Sequence, residues 1–444
     1  MIRLVFSDLR DHATTWIGAF VIAVVCGYIG GWAASLVATG QRYQNFADLA
    51  WIVLVFSAIA AVAVLVSAAN LTVSVQRRSY ALWQLANVSP RWVGVVVLAQ
   101  LAVVAVLGTV VGTLVEAATF EPLFPLVFSS PFYQPIDQVV LDVGLPFMPV
   151  VWLVAAGVFL LGGLKGARSA GRTLPMTALR APEPPHKGMT LLRVLLFAAL
   201  AFGTCRLAVF MVVSGAEAAF DNSLYIPLLM VAMLVPVAPV ALSALLSAWT
   251  AFVPRGRWNA WYLARRMARH GLSASTSVET PIMVGFGLVA GIFSLGNALG
   301  AYVREQGMST STSLDFTSTI LLLGGPVILC ATGAAVSVVM SSRTRIRDVS
   351  LLVASGARPQ TLVAAAACEA FIHAVTATLA GMACVVASNA VVAQAVGLPL
   401  FRGLAFGEGL VVSLAGFALV LVATIVPTWS ALNKEAATVL SVQE

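Results

Sequence analysis

The sequence predicts an all-α, polytopic membrane protein of about ten transmembrane helices, and three observations carry that expectation. Of its 444 residues, 60% are hydrophobic and only 10% charged, with a mean hydropathy of +0.96, whereas a soluble domain is roughly 25% charged. A soluble chain of this length has no core able to hide so much apolar surface. The apolar runs are also continuous over about twenty residues, enough to cross roughly 30 Å of hydrocarbon, and lack the alternation of a β-barrel strand. Finally, charge is confined almost entirely to the connections between runs. Lipid offers the backbone no hydrogen-bond partner, so such runs form helices.

Taken in order, the first span covers about 15–38. It follows Arg3, Asp8, Arg10 and Asp11, is too long for a signal-peptide core and shows no small-residue cleavage site, so it reads as a retained helix. The second, 49–74, runs into the arginine pair Arg77-Arg78, and the third, 93–117, follows Pro90-Arg91. After it, the segment 118–145 carries Phe120, Phe124, Phe128, Phe132 and Tyr133 among Pro122, Pro125, Pro131 and Pro135. Those prolines predict a loop without regular helix, serving as an aromatic anchor at the interface or as a contact for an amphipathic substrate. The fourth span, 146–164, leads into a proline-rich linker from Arg172 to Lys187. The fifth, 190–213, contains Arg206 beside Cys205; the sixth to eighth cover 224–250, 280–302 and 316–341. The ninth, 361–386, carries Glu369 and His373, and the tenth spans 408–431.

Placing the N-terminus inside sends 21 of the 25 Lys and Arg to the cytoplasmic side, counting Arg193 at the inner end of the fifth span. The remaining four are Arg42, Arg304 and Arg402 outside and Arg206 within a span. That asymmetry predicts a cell inner-membrane protein with both termini cytoplasmic, and it accounts for the net charge of +7 without any nucleic-acid partner. Cys26, Cys205, Cys330, Cys368 and Cys384 lie within apolar runs without paired spacing, and read as buried hydrophobes rather than disulfides or metal ligands.

An internal repeat divides the chain. At a constant offset of 269, Arg78 falls on Arg347, Leu82 on Leu351, Pro90 on Pro359, Gln100 on Glu369 and Gly112 on Gly381. Each copy follows one span and precedes the next, which predicts modules at 1–170 and 253–444 joined by the linker and two spans of 171–252. The repeated stretch predicts a short surface helix between two membrane helices, ended in a left-handed conformation at Asn87 or Gly356 before the proline. Such an element is either a lever pressed by a partner protein or an ordinary amphipathic connector.

Among the intramembrane groups, Arg206 is expected to line a polar route or to pair with a carboxylate such as Glu217. Glu369 and His373, spaced i, i+4, are expected to pass a proton or to serve packing and coupling near the cytoplasmic end. No further His or Cys stands beside them at metal-ligand spacing.

At Arg347, Leu351, Gly356, Ala357 and Glu369 the chain resembles the FtsX-like permease family of ABC transporters, marked by an arginine-rich stretch, a leucine-bearing short helix, a Gly-Ala-like turn and a glutamate in the next span. In the first copy Arg78, Leu82 and Pro90 match, while Asn87 and Gln100 replace the glycine and the glutamate. The ten-span layout is similar to bacitracin-exporter permeases, but the large extracellular domain those carry between spans seven and eight has only Tyr302 to Asp315 in its place. The resemblance implies a permease subunit whose two repeated segments dock a pair of cytoplasmic ATPase subunits, one permease copy per complex, moving a hydrophobic or amphipathic peptide or lipid. It also implies that ATP and magnesium sit on the partner, since no GxxxxGK[ST] phosphate loop occurs in this chain, which is then not itself an enzyme. A gradient-driven secondary transporter is the alternative; it predicts several charges deep in the membrane. A membrane enzyme on lipid substrates instead predicts clustered Asp, His or Glu at one membrane face.

Overall fold

The computed structural model describes residues 7, 9–10, 13–129, 139–172, 191–253, 258–270, 272–307 and 319–433. Among these, the chain is helical without a strand, and ten helices are long and apolar enough to cross a membrane. In chain order the helices are α1 (Ala13–Gly40), α2 (Gln44–Val75), α3 (Arg77–Leu85), α4 (Pro90–Val127), α5 (Met148–Arg172), α6 (Leu191–Ser214) and α7 (Ala216–Asn222). They continue as α8 (Tyr225–Trp249), α9 (Asn259–His270), α10 (Leu272–Glu305), α11 (Gly325–Ala354), α12 (Pro359–Ala395) and α13 (Gly407–Leu432). Each of the ten expected spans maps onto one long helix, so the protein is an all-α, multi-pass membrane protein.

Packing divides the chain into two compact units, the first comprising 1–183 with 315–340 and the second 184–314 with 341–444. Sequence modules and packing units therefore cut the chain differently: the body of α11 packs in the first unit, while α6 and α8 belong to the second. Glycines show why α11 fits there. Side-chain atoms of Val336 and Met340 fill the space beside Gly18 of α1, Val64 of α2 fills that beside Gly333, and Ser57 that beside Gly325. With so little hydrophobic drive between helices in lipid, such close approach at small residues is what holds them together.

Within each unit the same three-helix arrangement recurs. Helices α1, α4 and α5 pack mutually in the first unit, and α10, α12 and α13 do so in the second. Helices α1 and α4 touch backbone to backbone: a Cβ on Gly112 would stand 2.0 Å from the Val24 carbonyl oxygen, and one on Gly27 2.4 Å from that of Thr109. In the second unit the corresponding Gly381 faces the buried ring of Phe286, which also fills the space beside Gly409 of α13. A matching anchor closes both triads, since the Gly144 N–H donates to Ser35 Oγ (3.2 Å) and the Ala405 N–H to Ser294 Oγ (2.9 Å).

The expected loop after the third span is instead the end of α4, which includes Pro122 and Pro125. Phe120, Phe124 and Phe128 recur every four residues on one buried face, where they meet Phe46 and Trp32. Both prolines are on the exposed side. Edge-on and tilted packing of three large rings against Phe46 and Trp32 holds the helix together where the prolines remove hydrogen bonds. These rings are core and not an interfacial anchor; Pro131, Phe132, Tyr133 and Pro135 lie outside the described residues, as does most of the 172–187 linker.

Candidate functional site

The repeated segments share one backbone geometry. After α3 the N–H of Asn87 donates to Gln84 (3.0 Å) and that of Val88 to Trp83 (3.0 Å); after α11 the N–H of Gly356 donates to Val353 (2.9 Å) and that of Ala357 to Leu352 (3.0 Å). The same pairs recur at the offset of 269, forming the 6→1 and shorter bonds of a Schellman turn. Asn87 at φ +68° and Gly356 at φ +91° take the left-handed conformation expected of them. Pro90 and Pro359 then open α4 and α12 behind the extended residues Ser89 and Arg358, whose carbonyls accept from Trp92 and Val93, and from Thr361 and Leu362. Proline at the first helical position sacrifices a donor that has no intrahelical partner anyway.

Burial repeats in the same register. Tyr80 and Ala81 are buried, as are Val349 and Ser350, whereas Leu82 and Leu351 are both about half exposed, at 50% and 47%. One element departs from expectation. In the first copy α3 is a separate helix, broken from α2 at Gln76, whose side chain accepts from the Tyr80 hydroxyl; in the second the segment is the unbroken end of α11. The backbones at Arg78 and Arg347 are helical, and their side chains lie outside the described residues. Outside the repeat, Arg269 belongs to α9, an amphipathic helix whose Trp261, Ala264 and Ala268 pack with Ala365 and Ile372 of α12.

A second constellation joins α10 to α12. His373 Nδ1 lies 2.7 Å from Glu279 Oε1, and its Nε2 lies 3.7 Å from Glu369 Oε1; all three residues are buried. Its level in the bundle follows from two rungs between α12 and α13: Thr424 Oγ1 donates to the Ala366 carbonyl and Thr378 Oγ1 to Ser413 Oγ. His373 falls between them, opposite the middle of α13, and Glu279 is a turn before Ile282, which packs on Gly416 of α13. The i, i+4 pair is therefore enclosed among α10, α12 and α13, and it has a third member the sequence did not reveal. Glu279 is 94 residues from His373, and its only sequence signal is an acid at the threshold of an apolar run.

Arg206 does not form the expected pair. It is exposed on α6, and no ion pair joins it to the exposed Glu217. Helix α6 packs through Thr204, Leu207, Ala208 and Met211, while Phe202, Val209 and Val213 on its other side are exposed. Among the described residues of the first unit the buried acid is Glu116 in α4, set within an apolar run: Ser35 Oγ donates to its Oε1 at 2.9 Å. Glu116, Glu279, Glu369 and His373 are thus buried titratable groups on the long apolar helices, whereas Arg206 is exposed. No family model matches this chain, and no curated protein or solved structure matches it.

Proposed function

We propose that this protein is the permease subunit of an ATP-driven transporter of the ABC type, its ATPase being a separate polypeptide. The carrying observation is the turn after α3 and α11, repeated bond for bond at an offset of 269 with an exposed leucine at the same place in each copy. Each turn ties a surface-exposed helical segment to a long membrane helix through a proline start, so a push on the segment is delivered to α4 or α12. Two such levers suit two ATPase subunits on one permease copy, with ATP and magnesium held by those subunits. The charge asymmetry supports an inner-membrane location with both termini and both levers cytoplasmic. A hydrophobic or amphipathic substrate, peptide or lipid, moved outward or extracted from the bilayer, fits a chain with so little polar surface.

The test is copurification of the ATPase and ATP turnover in the reconstituted complex. Arg347→Glu is expected to reduce both at least tenfold and Arg78→Glu less, since the first copy has Asn87 and Gln100 where the second has Gly356 and Glu369. Arg269→Glu, outside the repeat, is the control and should retain turnover. Equal behaviour of the three variants removes the lever reading.

The buried trio of Glu279, His373 and Glu369 favours a second reading, a gradient-driven secondary transporter, because carboxylates and imidazoles buried among membrane helices are the parts of proton relays. Transport that persists without the ATPase and collapses with a protonophore selects it.

A further inference from the structure

Three arginines, Arg42, Arg304 and Arg402, fall on the side where the charge asymmetry leaves few cations. Two of them converge. Arg304 at the end of α10 and Arg402 between α12 and α13 line one cavity of about 550 Å³ with Asn297, Ala301, Glu305 and Gly403. The connection that carries Arg402 is pinned rather than loose. The Asn389 side-chain amide donates to the carbonyls of Leu400 (3.0 Å) and Arg402 (3.1 Å), and the Ala405 N–H donates to Ser294 Oγ. Gly403, at φ +90°, leaves no room for a Cβ, which would stand 2.7 Å from the Ala298 nitrogen.

The charges do not cancel. Arg402 pairs with Glu305, while Arg304 gives its Nε to the Gly300 carbonyl at 3.0 Å. Among the described lining residues, two guanidiniums stand against one carboxylate, a surplus of positive charge on the residue type best matched to phosphate oxygens. Next to Arg402, Leu400 and Phe401 are 49% and 69% exposed, an apolar shoulder beside a cationic hollow. The matching anchor of the first unit, at Gly144, has Asp142 and no arginine.

We propose that this cavity binds the phosphate headgroup of an anionic amphiphile, with Arg304 and Arg402 on the phosphate and Leu400 and Phe401 against its chain. Binding needs neither ATP nor a partner, so it stands or falls separately from the permease reading.

The experiment is calorimetric titration of the full chain, in a non-ionic detergent, with dihexanoyl phosphatidic acid, dihexanoyl phosphatidylcholine and inorganic phosphate. Saturable binding of phosphatidic acid, tighter than either of the others, is expected. Arg304→Gln and Arg402→Gln should each weaken it about tenfold, with Arg304→Lys and Arg402→Lys recovering part of the loss and all variants eluting as folded protein. Glu305→Gln should tighten binding severalfold, because it removes the competing carboxylate; weaker binding there marks the Arg402–Glu305 pair as structural only and overturns the proposal. Equal affinity for inorganic phosphate overturns the amphiphile, and an affinity indifferent to both arginines overturns the site.

Discussion

An imidazole between two carboxylates, away from water, has an energetic consequence confined to a few atoms. Removing one member of a buried hydrogen-bonded pair leaves the other desolvated without compensation, at about 1–3 kcal/mol or more, whereas removing both restores part of that loss. Glu279→Leu is therefore expected to destabilise the detergent-solubilised protein strongly, and Glu279→Leu with His373→Leu to be less harmful than the two single effects added. Unfolding free energies of the four members of this cycle measure the coupling, expected at roughly 1–3 kcal/mol. Additivity within about 0.5 kcal/mol would show that the 2.7 Å contact has no energetic role. The first unit lacks this chemistry, for Val104 and Gln100 stand at the offset positions of His373 and Glu369.

Between helices, stability rests on how closely backbones meet. Gly112→Ala places a Cβ against the α1 backbone, which cannot yield as a flexible side chain would, and overpacking of this kind costs about 1–3 kcal/mol. Gly157→Ala, with no neighbouring atom within 4 Å, is the matched control and should leave the thermal midpoint unchanged. A lowered midpoint for both variants, or for neither, would contradict the α1–α4 packing described above. Elements whose cause is local were legible in the sequence: ten apolar runs, and the left-handed stops at Asn87 and Gly356 ahead of prolines. Those decided by distant contacts were not. Pro122 and Pro125 are helix breakers by their own chemistry, and only the burial of Phe120, Phe124 and Phe128 against Phe46 keeps α4 going past them. The four-residue spacing of those phenylalanines was the available signal. Likewise Glu279 needs α10 and α12 side by side before it has a partner, and α9 gains its place from Ala365 and Ile372.

For the whole molecule, the expected topology is open to labelling with an impermeant thiol reagent on intact cells. Cysteines introduced at Ser129 and Gly307 should react and one at Arg172 should not, in a background carrying Cys205→Ala because Cys205 is exposed. Reaction at Arg172 would reverse the orientation. The division of α11 between the units bears on synthesis as well as on architecture. The first unit is not finished when α5 leaves the ribosome: its last component ends at Met340, 168 residues after Arg172. At ordinary elongation rates that is a wait of roughly 10–30 s. Throughout it, the surfaces of α1 and α2 around Gly18, Ser57 and Val64 lack the helix that later covers them. A chain cut at residue 252 would keep that vacancy permanently, which makes such a fragment a target for membrane quality control rather than a free-standing half.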